Sequence, residues 1–266
     1  MNHLFRELAP IGESTWKLLD DEAADRLTPA LAARRLVDFS GPHGWEHSAT
    51  NLGRTAPLTS TPSAGVTGLQ RRVLPLIELR ADFELSRDEL RDASRGADDV
   101  DLAALDNAAH QLAVAENAAV FHGWHGAISG IGEASPHDAP ALGTDAAGYP
   151  RPVADAVGRL LESGIAGPYG LALGSEQYQL AIGASEQGGY PVIEHLRKIV
   201  EGPIVRAPGL TGALVVSQRG GDFVFESGQD VSIGYDSHDG EVLRLYLEET
   251  FSFHVATAEA AVALRP

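Results

Sequence analysis

Residues 217–235 read SQRGGDFVFESGQDVSIGY, and the reading of this stretch decides how the C-terminal part of the chain is built. Gly220 and Gly221, between Arg219 and Asp222, mark a tight corner, because glycine accepts backbone angles that a Cβ forbids. Two short runs follow, FVFE (223–226) and VSIGY (231–235), separated by a second glycine-bearing turn; they read as short strands. Arg219 and Asp222 either pair across the corner or reach a neighbouring molecule. The stretch carries no nucleophile and no metal-ligand spacing, so its high degree of specification points to architecture rather than chemistry.

Working outward, the runs PIVRAP (203–208), ALVVS (213–217), VLRLYLEE (242–249), TFSFHVA (250–256) and AVALR (261–265) read as further strands. Upstream the pattern changes to helical. The strongest helix is DLAALDNAAHQLAVAENAAVF (101–121), with Leu102, Leu105, Ala109, Leu112, Ala113, Glu116 and Val120 sharing one face. Glu116 on that face is either a paired, buried carboxylate or an edge residue. Further helices are expected from Pro152 to Ser163, closed by Gly164, then from Ser175 to Ala184 and over VIEHLRKIV (192–200). In the first of these Val153, Ala156, Val157, Leu160 and Leu161 keep helical spacing. Residues 13–36 read as two helical pieces. Trp16, Leu19, Ala23 and Leu27 form the stripe of the first, and Thr28-Pro29 caps and opens a second that carries Leu31, Arg34 and Arg35.

Residues 41–72 are rich in Gly, Pro, Thr and Ser and hold few large apolar side chains. Such a segment cannot bury a core of its own and is either disordered or a projecting arm. The alternating run VLPLIELRADFEL (73–85) follows, so the two flanks are expected to return on each other as a long hairpin. Mixed helices and strands, with strands dominating the end, make the fold class α+β with at least two lobes.

The totals restrict function. The chain has 266 residues, 44% of them hydrophobic, and no apolar run long enough for a membrane span. No secretory leader is read in MNHLFRELAP, so a soluble cytoplasmic protein is expected. With no cysteine, disulfides, iron–sulfur clusters and thiolate zinc sites are excluded. Twenty Lys and Arg stand against 37 Asp and Glu, a net charge of −17, which argues against a nucleic-acid partner. Asp20-Asp21 and Asp98-Asp99 read as solvated carboxylates at helix starts.

A search for chemistry finds little. His122 and His125 are three apart in FHGWHG, but the glycines disfavour a helix there and a surface turn is the expected reading. There is no H-E-x-x-H, no G-x-S-x-G, no phosphate-binding G-x-x-x-x-G-K-[ST] and no G-x-G-x-x-G in a dinucleotide context. The chain is expected not to be an enzyme and to hold no metal.

The segments SQRGGDF, GQDVSIGY and LRLYLEETFSFHV, in this order, resemble the encapsulins, bacterial proteins also described as linocin-type. The likeness extends through LFRELAPI with Trp16, RRLVDFSGPHGWE, LPLIELRADFELSRDEL, the helix DLAAL…AENAAVFHG, GIAGPY and GGYPVIEHL. It implies the tailed-phage major capsid protein fold, with a peripheral lobe, an apical lobe and an extended loop. By that resemblance residues 1–40 are the N-terminal helical region of the peripheral lobe and 41–78 the extended arm. Residues 79–130 carry the spine helix of the peripheral lobe, 131–215 form the apical lobe, and 216–266 return as peripheral-lobe strands.

The resemblance further implies a non-catalytic shell subunit that assembles with copies of itself into a closed icosahedral compartment. Such shells enclose a cargo enzyme, a dye-decolorising peroxidase or a ferritin-like iron protein, recruited by a short C-terminal peptide. Matching positions for that peptide are Leu27, Leu31, Arg34, Asp38, Val231, Ile233 and Tyr235; the alternative for these residues is that they join the N-terminal helix to the sheet. The loop SEQGGYP (185–191) matches the five-fold pore loop, with Glu186, Gly188, Gly189 and Tyr190 setting charge and width; the alternative is an ordinary helix–helix turn. Asp88 stands where some members carry a flavin-stacking tryptophan, and an anion offers no stacking surface, so no flavin is expected. Linocin-type proteins have also been described as bacteriocins or proteases, a rival reading that the missing hydrolase motifs disfavour. Because subunits this acidic repel one another, assembly is expected to tighten at moderate salt.

Overall fold

A computed structural model describes residues 2–186 and 188–266. The elements follow in the order α1 (Glu13–Ala30), β1 (Asp38–Ser40), β2 (Ala49–Pro57), β3 (Leu69–Pro75), β4 (Ile77–Ser86), α2 (Arg87–Ser94), α3 (Ala103–Phe121), α4 (Ile131–Ala134) and α5 (Pro150–Glu162). Then come β5 (Tyr169–Gly174), α6 (Ser175–Gly183), α7 (Val192–Val200), β6 (Glu201–Ala207), β7 (Ala213–Ser217), β8 (Phe223–Ser227), β9 (Ser232–His238), β10 (Val242–Val255) and β11 (Ala261–Leu264).

The first sheet is organised by β10. One edge pairs antiparallel with β4, from Val242↔Ser86 to Phe251↔Ile77. The other edge is shared: β9 takes the first half of β10 and β8 the second, and β1 adds in parallel to β8. The two strands of the 217–235 stretch therefore lie end to end along one strand. Helices α1 and α3 pack on this sheet through the expected stripes. Trp16, Leu19, Ala23 and Leu27 of α1 meet Leu105, Ala109 and Leu112 of α3 and Leu243, Leu245 and Leu247 of β10 in one core.

The second sheet has the order β11-β7-β5-β6, flanked by α5, α6 and α7. Residues 261–264, grouped by the resemblance with the peripheral strands, pair with β7 in this sheet. A second core joins the two sheets: Leu171, Val215 and Val262 belong to the same apolar cluster as Phe225, Phe251 and Phe253. The third sheet is the two-stranded hairpin β2–β3.

Several expectations are corrected. Thr28-Pro29 does not open a second helix. Pro29 lies in the last turn of α1, where little ladder remains to be broken, and Thr28 Oγ donates to the Ala24 carbonyl at 2.7 Å. Residues 33–35 form only a 3-10 turn. Asp20 and Asp21 fall inside α1, paired with Arg6 and Lys17 respectively. α5 starts at Pro150, and Leu161 is exposed. The two strands read at 242–249 and 250–256 are one strand of 14 residues. Strand β5 was not read at all, although each of its six residues is buried. Its glycines mark close approach rather than a loop: a Cβ on Gly170 would lie 2.5 Å from Leu36 Cδ2.

Candidate interaction surfaces

The corner at 219–222 is closed within the chain. Arg219 Nε and Nη2 donate to Asp222 Oδ2 and Oδ1 at 2.9 and 2.8 Å, so of the two readings it is the cross-turn pair that forms. Gly220 and Gly221 have φ of 85° and 81°, the left-handed region. The Gly221 amide donates to Asp38 Oδ2 at 2.6 Å, and the Asp222 carbonyl accepts from Ala256 and Thr257. The corner thus ties the start of β8 to β1 and to the end of β10.

The seven positions matched to peptide docking fall into three groups. Leu27, Leu31 and Ile233 are buried together in the core beneath α1, with Val231 and Tyr235 partly buried at its edge. The Tyr235 amide donates to the Leu4 carbonyl at 2.8 Å, so the N-terminal segment lies along part of β9. Asp38 belongs to the glycine corner just described. Arg34 belongs to a third place, the junction of α1, α3, β9 and β10.

At this junction one guanidinium meets three carboxylates. Arg34 Nε donates to Glu116 Oε2 at 2.7 Å, Nη1 to Asp230 Oδ1 at 2.7 Å, and Nη2 to Glu249 Oε2 at 2.6 Å. The rings of Phe39 and Phe225 each lie 5.2 Å from the Arg34 guanidinium carbon, giving it an apolar floor. Glu116 and Glu249 are 0% and 1% exposed. Their Oε1 atoms have no donor when both carboxyls are ionised. Burial pushes both acids up; the neighbouring Glu116 charge pushes Glu249 up further, well above the carboxylate range, and Arg34 only partly offsets this. For Arg34, burial works against the charge, but Glu116 and Glu249 outweigh it and hold the guanidinium above its ordinary value. A proton taken up by the pair would supply the missing donor and reduce three negative charges to two, the direction in which burial shifts both acids.

Asn117 completes the junction. Its Oδ1 accepts from the Ala33 amide at 2.9 Å, and its Nδ2 donates to the carbonyls of Ala30 and Pro208 at 2.8 and 2.9 Å. One buried amide therefore clamps the end of α1 and the β6–β7 connection to α3. Sequence reading missed Asn117, Glu249 and Asp230. A signal existed for Glu249: it shares the inward phase of β10 with Leu243, Leu245, Leu247, Phe251 and Phe253, a row where a carboxylate needs a partner.

Ser185 and Pro191 face each other in an antiparallel bridge at the base of the 185–191 loop, whose residue 187 lies outside the described residues. The Glu186 amide donates to the Tyr190 carbonyl and the Gly189 amide to the Glu186 carbonyl, both at 2.9 Å. Gly188 and Gly189 have φ of 101° and 82°. Glu186 Oε1 lies 2.9 Å from His195 Nδ1, and Lys198 Nζ sits 4.9 Å from the centre of the Tyr190 ring. Asp88, at the start of α2, pairs with Arg91 at 2.6 Å. His122 accepts from the Thr211 amide at 3.0 Å and so holds a turn.

The arm is the least buried part of the chain. β2 and β3 pair over most of their length, with a register shift between Asn51 and Arg54. Leu58, Val66, Leu69 and Val73 are all exposed, Leu69 to 64%. A two-stranded ribbon is marginal in water by itself. No described helix is long and apolar enough to cross a membrane.

Comparison with known proteins agrees with this architecture. The profile of the family described as "Linocin_M18: Encapsulating protein for peroxidase" matches residues 1–252. The chain is 47% identical over 271 residues to the type 1 encapsulin shell protein of Rhodospirillum rubrum, covering 100% of this chain and 97% of that protein. It is 41% identical over 265 residues to the protein of the same description from Mycobacterium tuberculosis, covering 99% of each. Among solved structures, the virus-like particle from Pyrococcus furiosus superposes with a TM-score of 0.65 at 17% identity, over 94% of this chain and 99% of that one. The protein of Mycobacterium phage Ogopogo gives 0.56 at 16% identity, over 88% and 91%. At such identities the structural likeness shows a shared fold, that of tailed-phage capsid proteins.

Proposed function

This chain belongs to the encapsulin family of shell proteins, and from that premise we propose that it assembles with copies of itself into a closed icosahedral compartment that encloses a cargo enzyme in the cytoplasm. The observation that carries the reading is the arm. A hairpin with both faces exposed and four large apolar side chains in water is poorly satisfied by its own chain, and burial against a neighbour removes that surface from solvent. Repetition by symmetry lets modest contacts hold a shell. The role is structural, as the relatives' description as shell proteins indicates.

The cargo is a peroxidase or a ferritin-like protein carrying a C-terminal targeting peptide. The family description, an encapsulating protein for peroxidase, supports the first. The peptide would reach Val231 and Tyr235, the partly exposed members of the group beneath α1, while Leu27, Leu31 and Ile233 back them from the core. Glu186, Gly188, Gly189 and Tyr190 would line the five-fold opening, and no flavin is bound beside Asp88.

Electron microscopy of the purified protein tests assembly: hollow, uniform spheres are expected, and only compact isolated particles in every buffer would refute it. Co-expression with a fluorescent protein bearing a candidate peptide tests docking. Val231→Asp is expected to leave intact, empty shells; full loading of that variant would remove the docking site from this edge.

A further inference from the structure

Residues 48–77 contain Arg54, Arg71 and Arg72 and no Asp or Glu. Taking these three cations from the 20 leaves 17 against 37 acids, so the remainder of the chain carries −20. The arm is thus the positively charged element of a strongly acidic subunit. All three arginines are exposed, and among the described residues none of them forms an ion pair.

The pairing register sharpens this. Arg54 stands directly opposite Arg72 across the β2–β3 ladder. Like charges in directly facing positions destabilise a hairpin, and this hairpin has no covering layer to compensate. Arg71, one residue along, lies on the opposite face with Leu69 and Val73, a stripe of apolar, cationic and apolar side chains. Both faces therefore offer positive charge, one of them next to unburied apolar surface. An arm that merely had to stay soluble would need no such concentration, and a ribbon that had to be stable alone would not oppose two guanidinium groups.

We propose that the Arg54–Arg72 pair is a carboxylate-binding element that docks the arm onto the acidic surface of a second copy of this chain. Charge complementarity selects that occupant: a +3 ribbon meets a −20 body, and a carboxylate placed between the two guanidinium groups turns their repulsion into two charge-assisted contacts. The arm then gives assembly an attractive electrostatic contribution of opposite sign to the general repulsion between subunits. The proposal rests on the self-assembly reading above.

The test compares wild type, R54Q/R72Q and R54K/R72K by light scattering and electron microscopy, from about 0.05 M to about 0.5 M sodium chloride, across which the screening length falls well below 10 Å. At low salt the Gln variant is expected to need about ten-fold more protein than wild type to reach the same particle fraction, since a weak ion pair is repeated at every copy. The gap should close at high salt, and the Lys variant should follow wild type. Far-ultraviolet circular dichroism verifies that each variant is folded. Equal particle fractions for wild type and the Gln variant at low salt overturn the proposal, as does a Lys variant that behaves like the Gln variant. Nucleic acid co-purifying with wild type and lost from the Gln variant would make the pair a phosphate site and also overturn it. Wild type that forms no particles at any salt refutes the assembly reading, and this proposal falls with it.

Discussion

At the junction beneath α1, Arg34 is surrounded by three carboxylates of its own chain; in the arm, Arg54 faces Arg72 with no carboxylate near in sequence. The junction is held within a single subunit, through a guanidinium bonded to three carboxylates and the clamp of Asn117. The arm is left unsatisfied in charge and in apolar area. The difference separates what must hold before assembly from what is completed by it. Charge that is buried and neutralised internally fixes the lobes to each other, whereas charge left exposed and unbalanced remains available to a neighbour.

The comparison can be broken most directly at Arg34. Replacing it with alanine leaves two buried carboxyls without their cation, and unfolding of the dissociated subunit in urea should show a loss of about 3–5 kcal/mol. Arg54→Ala in the same assay should cause no loss of subunit stability, since it removes a like-charge pair; equal losses for the two would erase the distinction. Next in size is Asn117→Ala. It strands the Ala33 amide and two carbonyls, and a loss of about 1–3 kcal/mol is expected by thermal or urea unfolding.

The third test uses pH. The folded chain holds a proton on the Glu116–Glu249 pair above the pH at which the unfolded chain releases it. The stabilisation is therefore fully present below the ordinary carboxylate pKa of about 4.3 and is lost as pH rises through the raised folded value. One such proton changes stability by up to about 1.4 kcal/mol per pH unit in that window. Glu249→Gln keeps a neutral donor beside Glu116 and Arg34, so it should flatten the profile; an unchanged slope would mean that the pair holds no proton. The smallest effect is expected at the glycine corner. Gly221→Ala meets no neighbouring atom but must keep a φ of 81°, and a loss of about 1 kcal/mol should appear in urea unfolding.

Much of the fold was legible because its periodicities are strong. The stripes of α1 and α3 and the limits of α7 follow from the order of apolar residues. The long hairpin expected between the flanks of the polar segment does not form: the segment folds on itself as β2–β3, and β4 pairs with β10, a partner distant in sequence. The misreadings have physical causes. Glycine in β5 resembled loop glycine because close backbone approach and turn formation call for the same residue. Glu248, Glu249 and Thr250 looked like a strand break, yet Glu249 is polar because it faces Arg34. Of the positions matched through the resemblance, Leu27, Leu31 and Ile233 meet in one core, as joining the N-terminal helix to the sheet also requires, whereas Arg34 and Asp38, four residues apart, serve different clusters.

By itself the order of residues determined the α+β composition, the acidic body with its cation-only arm, the glycine corner and the resemblance to shell proteins, because these depend on local pattern and composition. The tertiary structure alone decided which carboxylates surround Arg34, that Asp222 turns inward to Arg219, and that Arg54 stands opposite Arg72. Those outcomes depend on register and on contacts between residues as much as 215 positions apart, as Arg34 and Glu249 are, and no local pattern encodes them.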